Sequence, residues 1–198
     1  MGVRYGSIDI SGLKNFQKQL EKLQTPEVFA ETCARELAAR LLAKVIKRTP
    51  VGRAPKIKEK TVKVTVRGKD GKKRNRSFLS ADGARYQTYW AGYQGGTLRR
   101  GWTGGTDMKA AGYAATLPIS KVGTNYVITI TNPVKYASYV EYGHRQKVGR
   151  YVPALGKSLK AGWVKGRFMM TISENELKTI APRVLEAKLK EYLGQVFR

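Results

Sequence analysis

Histidine and cysteine are almost absent from this sequence, at one residue each: His144 and Cys33. A single cysteine excludes an intrachain disulfide. One histidine cannot build a multi-histidine metal site. Cys33 sits on an apolar helical stripe and reads as core, and His144 reads as a loop residue. Acids are also scarce, with 14 Asp and Glu against 38 Lys and Arg. Asp9, Asp70, Asp82 and Asp107 lie scattered in loop-like contexts, with no spacing that would bring two carboxylates together. The sequence has no phosphate-cradling Gly-x-x-x-x-Gly-Lys-Ser/Thr loop and no Gly-x-Ser-x-Gly elbow. Gly101, Gly104 and Gly105 read as turns. No catalytic, cofactor-binding or metal-binding residue is therefore assigned, no cofactor is expected, and an enzyme is not the expected reading. No apolar run approaches the roughly 20 residues that cross a bilayer. Met1-Gly2-Val3-Arg4-Tyr5 lacks the apolar stretch of a signal peptide. The expectation is a protein made and kept in the cytoplasm, with no membrane partner.

What is abundant is positive charge. The formal net charge is +24 over 198 residues, while 41% of the residues are hydrophobic, an ordinary share for a folded chain. A net charge of magnitude roughly 2–8 keeps a small domain soluble, so an excess this large calls for a polyanionic partner: nucleic acid, an anionic membrane or an acidic protein surface. One basic stretch runs through Arg53, Lys56, Lys58, Lys60, Lys63, Arg67, Lys69, Lys72, Lys73, Arg74 and Arg76. A second runs through Arg145, Lys147, Arg150, Lys157, Lys160, Lys165 and Arg167. Tyr86, Tyr89, Trp90, Trp102, Tyr151 and Trp163 are interleaved with them, as on a nucleic-acid surface. Docking to an acidic protein ring, or simple solvation, would leave the same pattern. No helix-turn-helix, zinc-finger or RNA-recognition signature is present.

Hydrophobic periodicity gives the organisation. Ser11 caps a helix striped by Leu13, Phe16, Leu20 and Leu23. Thr25-Pro26-Glu27 opens a second helix, with Phe29, Cys33, Leu37, Leu41 and Val45 at four-residue intervals. Pro50 ends it near Lys47. Thr61 to Arg67 alternates as a strand with Val62, Val64 and Val66 on one face. Asp70-Gly71 turns the chain, and Lys73 to Leu79 returns. Gly95 to Trp102 reads as a loop entering a strand. Leu117–Val122 and Tyr126–Thr131 read as strands, and Lys135 to Tyr142 as a short aromatic segment that calls for an apolar surface. Residues 144–166 read as a long loop, and Phe168 to Phe197 as a helix that Pro182 kinks or splits. The fold class is α+β: N-terminal helices and a C-terminal helix packed on a mostly antiparallel sheet, with a basic β-hairpin insertion.

Five segments in this order resemble the small tail-completion (neck, minor tail or head–tail joining) proteins of long-tailed double-stranded DNA phages and phage-tail-like particles. They are Ile8-Asp9-Ile10-Ser11-Gly12-Leu13; Ile46-Lys47-Arg48-Thr49-Pro50-Val51-Gly52; Gly96-Thr97-Leu98-Arg99-Arg100-Gly101-Trp102; Tyr136-Ala137-Ser138-Tyr139-Val140-Glu141-Tyr142-Gly143-His144; and Gly166-Arg167-Phe168-Met169-Met170. In shorter members the Thr-Pro-Val-Gly turn leads almost directly into the Leu-Arg segment, whereas here Arg53 to Gln94 intervene. The resemblance implies one tail-completion or neck domain over 1–198, with a basic insertion at about 53–94. It implies a structural virion protein, assembled in the host cytoplasm and placed at the tail or neck. There it would form or join a ring, by family analogy a hexamer, for tail completion or termination and head–tail joining. The implied partners are further copies of itself, the tail-tube protein, a sheath where one exists, the head connector proteins and DNA in the channel. The alternative is a nonspecific nucleic-acid-binding protein. Candidate interface residues are Lys63, Arg67, Lys72, Lys73, Arg74, Arg76, Arg99, Arg100, Trp102, Tyr136, Tyr139, Glu141, Tyr142 and Arg145.

Overall fold

The computed structural model describes residues 25–56 and 60–194. The expected first helix, Ser11 to Leu23, lies outside the described residues. The chain divides into two compact units. Among the described residues the first takes 25–48, 107–131 and 170–194, and the second takes 49–56, 60–106 and 132–169.

The first unit is built on two long helices, α1 (Pro26–Arg48) and α6 (Met169–Gly194, which begins one residue inside the second unit). Thr25 starts α1 by accepting from Phe29 N at 3.0 Å through its carbonyl. Glu27 in the first turn and Lys47 and Arg48 in the last complement the helix dipole. The apolar stripe buries Cys33, Ala38, Leu42 and Val45, the last two fully. Phe29, Leu37 and Leu41 face Leu177, Leu185 and Leu189 of α6 across an open apolar trough of 690 Å³. Polar ties hold the same two helices: Lys44 and Arg48 both reach the Glu176 carboxylate. Helix α4 (Ala110–Thr116) packs on α1. There Arg35 Nη1 lies 3.1, 2.6 and 3.1 Å from the carbonyl oxygens of Ala114, Ala115 and Leu117. A cation thus satisfies the open carbonyls at a helix C-terminus. Strands β3 (Ser120–Val122) and β4 (Asn125–Val127) form a small hairpin around Gly123. The expected strand through Thr131 stops at Val127. Helix α6 runs unbroken through Pro182, so the expected split does not occur.

The second unit holds hairpin β1 (Thr61–Arg67)–β2 (Lys73–Leu79), helix α2 (Ala81–Tyr89), helix α3 (Thr97–Gly101) and helix α5 (Ala137–Tyr142). It ends in a second hairpin. In that hairpin β5 (Gly143–Arg145) pairs with β8 (Trp163–Lys165), and β6 (Tyr151–Val152) pairs with β7 (Lys157–Ser158). Gln146 N→Gly162 O at 2.9 Å and Gly149 N→Leu159 O at 2.9 Å bridge the two ladders. The stretch expected as a long loop is therefore an irregular hairpin. Its strands are short and glycine-interrupted, which hid the period-2 pattern. Gly95 to Trp102 likewise forms helix α3 instead of a loop and strand.

A polar knot closes this unit. Thr49 is fully buried, and its hydroxyl accepts from Trp102 Nε1 at 2.8 Å. Its carbonyl accepts from Arg99 Nε and Nη2 at 3.1 and 2.7 Å. Asn132 Nδ2 donates to Leu98 O at 2.8 Å, and a Cβ on Gly101 would stand 2.3 Å from Asn132 Oδ1, so only glycine fits there. The α+β class holds, with the antiparallel strands distributed over four two-stranded sheets among the described residues.

Candidate assembly surface

The β1–β2 hairpin stands on a fixed base. Ser80 caps α2 by accepting from Gly83 N at 2.9 Å, and Ser80 N donates to Lys60 O at 3.0 Å. A Cβ on Gly83 would come within 2.1 Å of that same Lys60 carbonyl, so helix and hairpin meet backbone to backbone. Beyond this base the hairpin buries almost nothing. Val62, Val64, Phe78 and Leu79 are 45, 44, 49 and 55% exposed.

The register decides which residues share a face, because directly opposed residues point the same way. Val62 opposes Phe78, Val64 opposes Arg76 and Val66 opposes Arg74. On the other face Lys63 opposes Ser77, Thr65 opposes Asn75 and Arg67 opposes Lys73. The first strand taken alone gives one charged and one apolar face. The paired structure corrects this, since β2 places Arg74 and Arg76 among the valines. Asp70 is the only acid between Thr61 and Leu79; it pairs with Arg74 at the tip and accepts from Lys72 N at 3.2 Å. Lys63, Arg67, Lys72, Lys73, Arg74 and Arg76 are all on this exposed hairpin.

The remaining interface candidates divide. Tyr136, Tyr139 and Tyr142 on and before α5 are 44, 58 and 63% exposed. The expectation that this segment hides its tyrosines against an apolar surface is not met. Tyr139 lies 5.6 Å from the His144 ring, and Arg145 is exposed opposite Trp163, itself 53% exposed. Gly143 sits at φ +87, and its place for a Cβ is filled by Val164 O and the Trp163 ring. The tyrosine helix and the β8 tryptophan therefore meet around one glycine turn. Trp102 and Glu141, by contrast, are buried and cannot meet a partner from where they sit. Trp102 belongs to the Thr49 knot, and the backbone carbonyl of Glu141 accepts from Phe168 N at 3.0 Å. Arg99 is bound to Thr49, while Arg100 is exposed and reaches Gly95 O at 3.2 Å. Phe78, Leu79, Tyr151 and Trp163 are exposed surface aromatics and aliphatics that the candidate set left out. Of these, Tyr151 and Trp163 stood in the sequence as aromatics interleaved with the basic stretches, and the pairing of Trp163 with Arg145 places it beside a candidate.

Among the described residues there is no group of His, Cys, Asp and Glu able to hold a metal ion. No described helix is long and apolar enough to cross a membrane.

A family model described as "Bacteriophage HK97-gp10, putative tail-component" matches residues 14–143. That span takes in α1, the basic hairpin, the Thr49 knot and α5. The chain belongs to this family of phage tail components. No curated protein and no solved structure gives a match. As a tail component the protein is a structural part of the virion, and other phage tail or head proteins are its partners.

Proposed function

We propose that this tail component works at the head-proximal end of the tail, forming or joining a ring that completes the tail and joins it to the head. The observation that carries the reading is the pairing of two unlike exposed surfaces on one unit. One is the basic hairpin β1–β2, and the other is the aromatic turn of Tyr139, Tyr142 and Trp163. A closed cyclic ring is held by heterologous contacts, in which one patch meets a different patch on the next copy. Aromatic residues with low conformational entropy are the usual anchors of such contacts. By family analogy the ring has six copies. Its neighbours are the tail tube, a sheath where one exists, the head connector and the DNA that crosses the channel. The insertion at about 53–94 decorates the family domain.

Six copies at +24 each repel one another. With a Debye length of about 8 Å at physiological ionic strength, the repulsion is screened but not removed. The free protein should therefore stay small, and the ring should close on a template such as the acidic end of the tube. Light scattering at low and high salt, with and without purified tube, tests this. The expected result is a monomer or small oligomer alone and a defined ring on tube ends. Tyr139→Ser with Trp163→Ser should abolish that ring without unfolding the chain. A protein that stays monomeric at every salt concentration and ignores tube ends would defeat the reading.

A further inference from the structure

We propose that the β1–β2 hairpin is a DNA-contacting arm, a two-stranded ribbon that lies in a groove of duplex DNA and pairs with phosphates on both of its faces. This goes beyond the placement at the neck: exposed Val62, Phe78 and Leu79 at the base of the hairpin remain for a neighbouring copy, the cations farther out are assigned to DNA, and the assignment stands or fails on the purified chain.

The register supplies the first reason. Cations project from both faces: Lys63, Arg67 and Lys73 from one, Arg74 and Arg76 from the other, with Lys69 and Lys72 at the tip. A flat protein surface could neutralise one face only. The major groove of a duplex admits a two-stranded ribbon and has phosphates along both walls. The second reason is the direct opposition of Arg67 and Lys73. Like charges opposed across two strands destabilise a hairpin unless an anion lies between them. The hairpin's one acid, Asp70, is held by Arg74 at the tip. Third, the arm's own side chains remain largely exposed. Two strands of seven residues extend about 24 Å at ~3.4 Å per residue, from a base fixed by Ser80, Lys60 and Gly83. The arm is therefore presented outward from a rigid footing.

The same contacts leave the hairpin without a reader for adenine. Bidentate reading of adenine needs a free carboxamide. Asn75 is the hairpin's one amide, and its oxygen accepts from Thr65 Oγ1 at 2.8 Å. The remaining cations are suited to phosphate contacts, which position a protein on DNA without specifying a site.

The test measures fluorescence anisotropy of the full chain with a mixed-sequence duplex across a salt series. Three variants are compared with the parent. The first changes Lys63, Arg67, Lys73 and Arg76 to Gln. The second removes equal charge elsewhere, changing Lys47, Lys109, Lys178 and Arg183 to Gln. The third replaces only Arg67 and Lys73 with Thr. Each lost phosphate contact lowers the log–log salt slope by about 0.9, so the arm variant should lose about three to four from the slope. Its affinity at low salt should fall on the order of a hundredfold, while the charge-matched control changes by only a few-fold. The Arg67, Lys73 variant should bind DNA more weakly than the parent, with a salt slope lower by about two. Three results overturn the proposal. One is equal loss in the arm and control variants. Another is an unchanged salt slope for the Arg67, Lys73 variant. The last is undiminished duplex binding by the arm variant together with lost binding to poly-glutamate, which would make the arm's partner an acidic protein.

Discussion

The Thr49 knot and the β1–β2 arm belong to the same unit and use the same residue types to opposite ends. In the knot, the guanidinium of half-buried Arg99 is occupied by the Thr49 carbonyl, while buried Trp102 hydrogen-bonds the Thr49 hydroxyl. In the arm, arginines and lysines stand beside exposed valines, and only Arg74 has a carboxylate. Burial decides the difference. A guanidinium drawn partly out of water must find an acceptor or leave a polar group unpaired. A guanidinium on an open ribbon is solvated and remains available to a partner. A basic residue in the sequence is therefore not yet a binding residue, and half of the Arg99-Arg100 pair illustrates it: Arg99 is half-buried and bound to a backbone carbonyl, and its neighbour is exposed.

The sharpest way to break this contrast is to attack the knot. Trp102 is 5% exposed and donates to a fully buried threonine. Trp102→Ala should cost about 3–5 kcal/mol, combining the cavity with the lost hydrogen bond. Urea denaturation followed by circular dichroism would measure it. A loss below about 1 kcal/mol would mean that the knot does not hold the unit together.

Much of the first unit was legible from periodicity. The stripe from Phe29 to Val45 named a helix, and Cys33, Leu42 and Val45 are buried as such a stripe requires. Asp70-Gly71 named the turn of the arm, with Gly71 at φ +75. Three things were not legible. The strand from Thr61 showed alternating valines, but the identity of each face depends on a partner strand whose register the sequence does not display. Residues 144–166 form a hairpin from strands of two or three residues, too short for alternation to register. Glu141 and Trp102 looked like surface candidates because a charge and an indole next to basic and aromatic neighbours have the composition of an interface. Only the folded chain turns them inward.

A smaller effect sharpens the comparison from the side of the first unit, which holds most of the 14 acids. Glu176 accepts from Arg48 and Lys44, and these hydrogen bonds lower its pKa from 4.5 to about 2. A carboxyl depressed on folding contributes stability that is full above its unfolded value and is lost as pH falls. The loss should run from about pH 4.5 down to about 2. The carboxylate is 42% exposed, so solvent screening keeps the contribution small. Comparing Glu176→Gln with the parent in acid titrations of the unfolding midpoint should show a shallower acid slope for the variant, with the difference shrinking at high salt. Parallel slopes at low salt would mean that the clamp does not persist in solution.

The smallest stability effects should come from the arm itself, and that smallness is what separates it from the knot. Val64 is 44% exposed and opposes Arg76, so Val64→Ser removes little that is buried. The change should stay within about 0.5 kcal/mol, as for other surface substitutions away from caps and cores. Local opening should show the same contrast, because a ribbon with few buried contacts opens at low free energy while the knot opens only with its whole unit. Trypsin supplies the readout, since it cuts after Lys and Arg and the arm is rich in both. In the free protein the first cuts should fall between Arg53 and Arg85. Bound to duplex DNA, the same sites should be protected in proportion to occupancy, while cuts after Lys178 or Arg183 in α6 should keep their original rate. First cleavage in α1 or α6 with the arm intact would reverse this order of local stability and would place the arm inside the cooperative core.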